Sequence, residues 1–238
     1  MQNGRINILS TKILGNTLNS IAIGQGISFD EKSFIEIENI ISPDLTKRIM
    51  ELAGENVTVI FTSPRAVDAV GKELSEKPSW RIFCIGYKTR EQAEIYFGKE
   101  NIIGIADHAS QLAEEIIQHS SVKKMIFFCG NQRRDTLPER LKTNGIKLEE
   151  LIVYNTVEKP QVISKLYDGI LFFSPSGVKS FFSVNTLTNN SQLFAIGATT
   201  AEAINVFTKF PVIISPHPHI EEMVRMAIHH LLLQKSPQ

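Results

Sequence analysis

The sequence is poor in cysteine and has no charge imbalance, and each shortage excludes a class of protein. Two cysteines, Cys84 and Cys129, in 238 residues leave no room for a disulfide framework or a Cys-rich zinc site. Each ends a hydrophobic run that reads as a buried strand, so both are expected as reduced thiols in a cytoplasmic protein. Lys plus Arg and Asp plus Glu number 25 each, for a formal net charge of zero, which removes the whole-chain basic field of a nucleic-acid binder. No apolar run approaches the ~18 residues of a membrane span, so no membrane partner is expected. The start, where Ile6 to Leu9 is followed by polar residues, has no signal-peptide hydrophobic region. Nucleotide signatures are missing as well. Gly24-Gln25-Gly26 lacks a third glycine, and no glycine-rich loop ends in Gly-Lys-Ser or Gly-Lys-Thr. No Gly-x-Ser-x-Gly elbow surrounds Ser63, Ser174 or Ser176, and no His-Glu-x-x-His occurs. His217-Pro218-His219 with Glu221 and Glu222 lacks a third spaced His or Cys and reads as a loop and helix start, so no metal site is expected.

What is present is an alternation of short strand-like runs with helical patterns. Strands are expected at residues 6–9, 34–40, 57–62, 81–85, 101–105, 125–129, 148–157, 169–173, 192–196 and 211–214. Apolar spacings of three and four predict helices over 65–74, 89–97, 110–119, 136–143, 178–187, 200–207 and 220–232. This is the rhythm of βαβ units and parallel sheets.

Internal repetition sharpens that reading. Val59-Ile-Phe-Thr-Ser-Pro-Arg-Ala-Val67 matches Ile170-Leu-Phe-Phe-Ser-Pro-Ser-Gly-Val178, with Ser63 and Ser174 separated by 111 residues. Phe83-Cys-Ile-Gly86 matches Phe194-Ala-Ile-Gly197 at the same offset, without a gap over the helix between. Earlier in each half the offset is 119, half the chain: Thr17-Leu18 against Thr136-Leu137 on a helix, and Gly26-Ile27 against Gly145-Ile146 at the turn leaving it. Two copies of one β-α-β-α-β-α-β-α unit are therefore expected. Ligands of open parallel sheets sit outside the carboxyl ends of the strands, and a cleft between the two copies is the default site.

Five strand-to-helix turns carry hydroxyl or glycine residues: Thr62 to Arg65, Gly86 to Thr89, Gly130 to Arg134, Ser174 to Gly177 and Gly197 to Thr200. Any one alone reads as an ordinary N-cap. Together, with Arg65, Lys88, Arg133 and Arg134 beside them, they read as anion sites made of free backbone N–H groups and helix dipoles. A ligand with many carboxylates or phosphates would suit them.

Five blocks in order, Val59 to Val70, Phe128-Cys-Gly-Asn-Gln-Arg-Arg-Asp-Thr-Leu-Pro138, Val153-Tyr-Asn-Thr-Val157, Phe172-Phe-Ser-Pro-Ser-Gly177 and Ala195-Ile-Gly-Ala-Thr-Thr-Ala201, resemble uroporphyrinogen-III synthases. The resemblance covers the chain from about Val57 to Arg225; Lys12 stands where many members carry arginine. It implies a HemD-like fold of two similar parallel-sheet α/β domains joined by a two-stranded linker. Residues 1–34 plus 159–238 would form one domain and 38–151 the other, with linker strands at 35–37 and 152–158. It implies a lyase that cyclises hydroxymethylbilane with loss of water and inversion of ring D through a spiro intermediate, without a cofactor. The cytoplasmic enzyme would be a monomer, with neither nucleic acid nor membrane as partner and a transient contact with hydroxymethylbilane synthase. Carried over by position, Tyr154 is the catalytic residue, a phenol donating to the leaving oxygen. Ser63, Arg65, Thr89, Gly130, Asn131, Ser174, Ser176, Thr199 and Thr200 bind substrate, with Gly130 permitting close approach. The reading from residues alone also leaves open a non-catalytic two-domain polyanion-binding protein that uses the same turns.

Overall fold

The computed structural model of the chain describes residues 5–15, 26–119, 122–187 and 191–235; the expected helix around Thr17-Leu18 lies outside them. In chain order the strands are β1 (Ile6–Ser10), β2 (Ile27–Glu31), β3 (Ile35–Asn39), β4 (Thr58–Phe61), β5 (Arg81–Ile85), β6 (Ile102–Ala106), β7 (Lys124–Gly130), β8 (Lys147–Glu158), β9 (Gly169–Phe172), β10 (Gln192–Ala195) and β11 (Val212–Ile214). The helices are α1 (Pro43–Ala53), α2 (Pro64–Gly71), α3 (Tyr87–Phe97), α4 (Ala109–His119), α5 (Thr136–Thr143), α6 (Pro175–Phe182), α7 (Ala198–Phe207) and α8 (Ile220–Lys235). The chain divides into two compact units, unit 1 of Met1–Glu36 with Val157–Gln238 and unit 2 of Ile37–Thr156. Its two crossings fall inside β3 and β8.

Unit 2 is a parallel sheet in the order β6-β5-β4-β7-β8, with β3 at the edge beside β8. All four residues of β4 are buried, the continuous apolar run required of a parallel strand covered on both faces. Alternation assigns those faces. Val59 and Phe61 enter a cluster with Trp80, Phe97 and Phe128, while Ile60 enters another with Phe83, Met125 and Phe127. Phe61 stacks on Phe128 at 5.3 Å between ring centroids. The buried indole of Trp80 donates to the Leu52 carbonyl at 2.8 Å, so its polar edge is satisfied where its ring is packed.

Unit 1 is a second parallel sheet, in the order β11-β10-β9-β1-β2. Ile8, Leu171 and Phe194 fill one face, and Leu9, Ile170, Phe172 and Leu193 the other. The 111-residue repeat is visible element by element: β4 recurs as β9, and α2 as α6, over matching residues. At an offset of about 119, β1 recurs as β7 and β2 as β8. Each unit therefore combines the opening strands of one copy with the closing strands of the other. In chain order unit 1 reads 2-1-3-4-5 across its sheet and unit 2 reads 3-2-1-4-5, both doubly wound patterns with one point where the strand order reverses.

Three elements differ from the sequence expectation. Helix α1 was not expected, although Leu45, Ile49 and Leu52 show the helical spacing; Ser42 caps it by accepting from the Leu45 N–H at 3.2 Å, and Pro43 occupies its first turn. Strand β2 was also missed, because its Ser28 and Asp30 break the apolar run. The helix expected to run to Leu187 ends at Phe182. Asn185 terminates it: its side-chain amide donates to the carbonyls of Phe181 and Gln161, both at 2.8 Å, and its oxygen accepts from the Ile163 N–H at 2.9 Å.

Candidate functional site

In a doubly wound sheet, neighbouring helices diverge where the strand order reverses, and a ligand enters outside the carboxyl ends of the strands there. In unit 2 the reversal lies between β4 and β7, so the Ser63–Arg65 and Gly130–Arg134 turns flank it. Ser63 is the N-cap of α2, its hydroxyl accepting from the Arg65 N–H at 3.2 Å, with Pro64 at the first helical position. The Arg65 side chain is exposed. One strand further, Gly86 holds φ +79° at the mouth of α3, a backbone that favours glycine. Beyond it Tyr87 is 70% exposed and Lys88 is exposed, whereas Thr89 is buried.

The β7–β8 pair carries the most organised part of this edge. Their register shifts between Cys129 and Gly130, so that Cys129 opposes Ile152 but Gly130 opposes Tyr154. An extra residue of this kind re-aims a side chain, and the half-buried Tyr154 packs against the Phe61–Phe128 cluster together with its neighbour Val153. Gly130 is required beneath it. A Cβ at that position would lie 2.5 Å from Cζ and 2.8 Å from the phenol oxygen of Tyr154. The close approach expected of Gly130 is thus made by the tyrosine ring itself. Asn131 acts as a splint: its Oδ1 accepts from the Thr156 N–H at 2.8 Å, its own N–H donates to the Tyr154 carbonyl at 3.2 Å, and the Gln132 amide donates to the Thr156 carbonyl. Arg133 is taken up by Glu150 and Asp135, which corrects its expected place among the anion-binding cations; Arg134 is exposed.

In unit 1 the reversal lies between β1 and β9. Ser174 caps α6, accepting from the Gly177 N–H at 3.1 Å, and its hydroxyl lies 3.2 Å from that of Ser176. Across the reversal, the buried Thr11 donates its hydroxyl to the Leu171 carbonyl at 2.8 Å and ties the turn after β1 to β9. Sequence reasoning passed over Thr11; the signal available was its alignment, 119 residues earlier, with Gly130. At the next turn Thr199 is half-buried and Thr200 buried, mirroring Lys88 and Thr89. The structure therefore brings Ser63, Arg65, Thr89, Gly130, Asn131 and Tyr154 to one sheet edge, and Ser174, Ser176, Thr199 and Thr200 to the corresponding edge of the other unit.

Neither cysteine joins these edges as a nucleophile. Burial pushes the thiols of Cys84 and Cys129 up to about 11, leaving them protonated at neutral pH. Among the described residues no group of three or more His, Cys, Asp or Glu side chains could hold a metal ion, and no helix is long and apolar enough to cross a membrane. A groove lined by Pro138, Lys142, Ile146 and Leu148 lies at the amino end of β8, away from the glycine and hydroxyl turns.

Topology and turns define the class first: a two-unit, doubly wound α/β protein with hydroxyl, glycine and arginine residues at the carboxyl ends of its strands. A family model described as uroporphyrinogen-III synthase HemD matches residues 19–225. The chain belongs to that family, whose members are enzymes of tetrapyrrole biosynthesis. The uroporphyrinogen-III synthase of Saccharomyces cerevisiae is 23% identical over 195 residues, 67% of this chain and 71% of the yeast protein. Among solved structures, a mutant uroporphyrinogen III synthase of Thermus thermophilus superposes with a TM-score of 0.67 at 13% identity, covering 96% of this chain and 99% of that one. The uroporphyrinogen-III synthetase of Helicobacter pylori superposes with a TM-score of 0.64 at 16% identity, over 94% and 99%. These structural likenesses bear on the fold.

Proposed function

We propose that the chain cyclises hydroxymethylbilane with loss of water and inversion of ring D, and that Tyr154 is the group that assists loss of the hydroxyl. The pyrrole nitrogen pushes out the terminal hydroxyl, leaving an azafulvene. The substituted α-carbon of ring D attacks it to give a spiro intermediate, which fragments and recloses with ring D turned over. The open chain also closes unaided to the uninverted isomer, so the enzyme's task is to hold the two ends in the geometry of the spiro route. A neutral phenol can hydrogen-bond the leaving oxygen without itself losing a proton beforehand.

The observation that carries this reading is the Tyr154 ring seated on Gly130 by a register shift, beside a sheet reversal flanked by Ser63 and Arg65. Ser63, Arg65, Thr89, Gly130 and Asn131 in unit 2, and Ser174, Ser176, Thr199 and Thr200 in unit 1, are the substrate-binding positions of the proposal. Of these, Ser63, Arg65, Ser174, Ser176 and Thr199 offer side chains to the carboxylates. Thr89, Thr200 and Asn131 serve by shaping the turns, since the first two are buried and the third is spent on β8. On this reading the enzyme works in the cytoplasm as a monomer and receives its unstable substrate from hydroxymethylbilane synthase. The test is a coupled assay in which that synthase generates the bilane, the products are oxidised, and type I and type III uroporphyrins are separated. Mostly type III product is expected; type I product alone from folded protein refutes the reading and leaves a polyanion-binding protein.

A further inference from the structure

Because the turns of one unit recur in the other at offsets of 111 and 119 residues, turn positions can be compared between them, and the comparison exposes a difference in charge. In unit 2 the turns after β4, β5 and β7, three adjacent strands in the order β7-β4-β5, carry Arg65, Lys88 and Arg134. All three are exposed and form no ion pair with the described residues. Most other arginines of the unit are paired: Arg48 with Glu51 and Glu149, Arg90 with Glu94, Arg133 with Asp135 and Glu150, Arg140 with Glu114. Arg81, also without an ion pair among the described residues, sits at the opposite, amino end of β5. Unit 1 has neutral residues at the three equivalent positions: Ser176 and Thr199, 111 residues later, and Gly15, 119 residues earlier. The cations just past the carboxyl ends of its β1 and β2, Lys12 and Lys32, are half-buried, while Lys165 and Lys179 are paired with Asp30 and Glu158. Like charges gathered on one edge repel one another, and an anionic ligand relieves that repulsion.

We propose that unit 2 holds substrate carboxylates by charge, through Arg65, Lys88 and Arg134, whereas unit 1 holds them through the neutral hydroxyls of Ser176 and Thr199. The inference rests on the reading above that the substrate carries many carboxylates, and it adds Lys88 and Arg134 to the binding positions. Its signature is ionic strength. Exposed charge pairs are screened over about 10 Å at 0.1 M salt, whereas hydroxyl-to-carboxylate hydrogen bonds respond little. The probe is uroporphyrin III, a stable octacarboxylate, titrated by fluorescence from about 20 to 300 mM NaCl, a range that brackets this screening length. R65Q, K88Q and R134Q should each weaken binding at low salt about twofold to fivefold and flatten the salt dependence, and the triple variant should bind almost independently of salt. S176A and T199A should weaken binding and keep the wild-type salt slope. Unchanged thermal midpoints in all six variants exclude unfolding as the cause. A triple variant with the wild-type salt slope, or S176A and T199A that flatten it, overturns the proposal. If the wild type makes no type III product yet the triple variant loses the slope, the charge division stands and the synthase reading falls. If the wild type makes type III product and the triple variant keeps the slope, the synthase reading stands and the charge division falls.

Discussion

Gly130→Ala isolates the contact on which the proposed chemistry turns. Gly130 is absent from the positive-φ glycines of the chain, so alanine is allowed there by the backbone and the perturbation is purely steric. The added methyl would sit 2.5 Å from Cζ, 2.6 Å from Cε2 and 2.8 Å from the phenol oxygen of Tyr154, against ordinary contacts of 3.4 Å or more. The ring must therefore move by at least about 0.9 Å. Overpacking of this kind costs about 1–3 kcal/mol, or roughly 2–4 °C in thermal midpoint per kcal/mol for a chain of this size. Catalysis should suffer more, because a displacement of about 1 Å at a positioned group can cost ~10²-fold in rate. The assay is formation of type III uroporphyrinogen beside a thermal melt. Tyr154→Phe should slow the same product with little change in melting. In a Tyr154→Ala background, which removes the obstructed ring, Gly130→Ala should be close to neutral. A Gly130→Ala enzyme with wild-type rate and isomer ratio, or additive losses in the double variant, refutes the argument that glycine is there to seat the tyrosine.

Three further outcomes are expected. The Arg48 guanidinium, bonded to Glu149 at 2.8 and 3.0 Å, with Lys124 at 3.0 Å, holds the Glu149 carboxyl down to about 2. A depressed carboxylate contributes stability that is present above its ordinary value near 4.5 and lost as pH falls toward about 2, so Glu149→Gln should flatten the acid limb of a stability–pH curve over that window; an unchanged limb counts against the pair. The buried Ser180 hydroxyl has no hydrogen-bond partner among the described residues, and the repeat places Ala69 at the equivalent position. Ser180→Ala should raise stability by about 1 kcal/mol, and a lowered melting point would contradict the lack of a partner. Finally, Cys84 and Cys129 should resist Ellman's reagent at pH 8 until the protein is unfolded; labelling of native protein within minutes would disprove their burial.

Much of the architecture is legible because the repeat multiplies weak local signals. Val59 to Val67 alone is an unremarkable strand and turn, but its return at Ile170 identifies β4 with β9 and α2 with α6. The 119 offset likewise pairs β1 with β7. Two elements escaped notice: β2 alternates Ile27 and Phe29 with polar residues, a half-buried pattern weaker than the continuous apolar runs of the other strands, and α1 sits where the two copies part company. At the site, the residue types were readable and their occupation was not. Nothing in Gly130-Asn131-Gln132-Arg133 says that Asn131 is spent splinting β8, or that Arg133 is held by Glu150 from a strand 17 residues on. The seating of Tyr154 on Gly130 depends on a register shift, which is decided by cross-strand packing rather than by local sequence.

The exchange of strands between the two copies also sets an order of assembly at the ribosome. The parallel strands of unit 2, β4 to β8, lie within Thr58–Glu158, so that sheet can close while the rest of the chain is still being made. β1 and β2 emerge before unit 2, yet β1 meets its neighbour β9 only about 140 residues after β2 ends, a wait of roughly 7–28 s at 5–20 residues per second. A two-stranded pair is at best marginal alone, and β1 meanwhile presents an apolar edge with no partner. The strands of unit 1 made ahead of unit 2 are secured only after it, which stretches the newborn chain's period of exposure across the whole synthesis of unit 2.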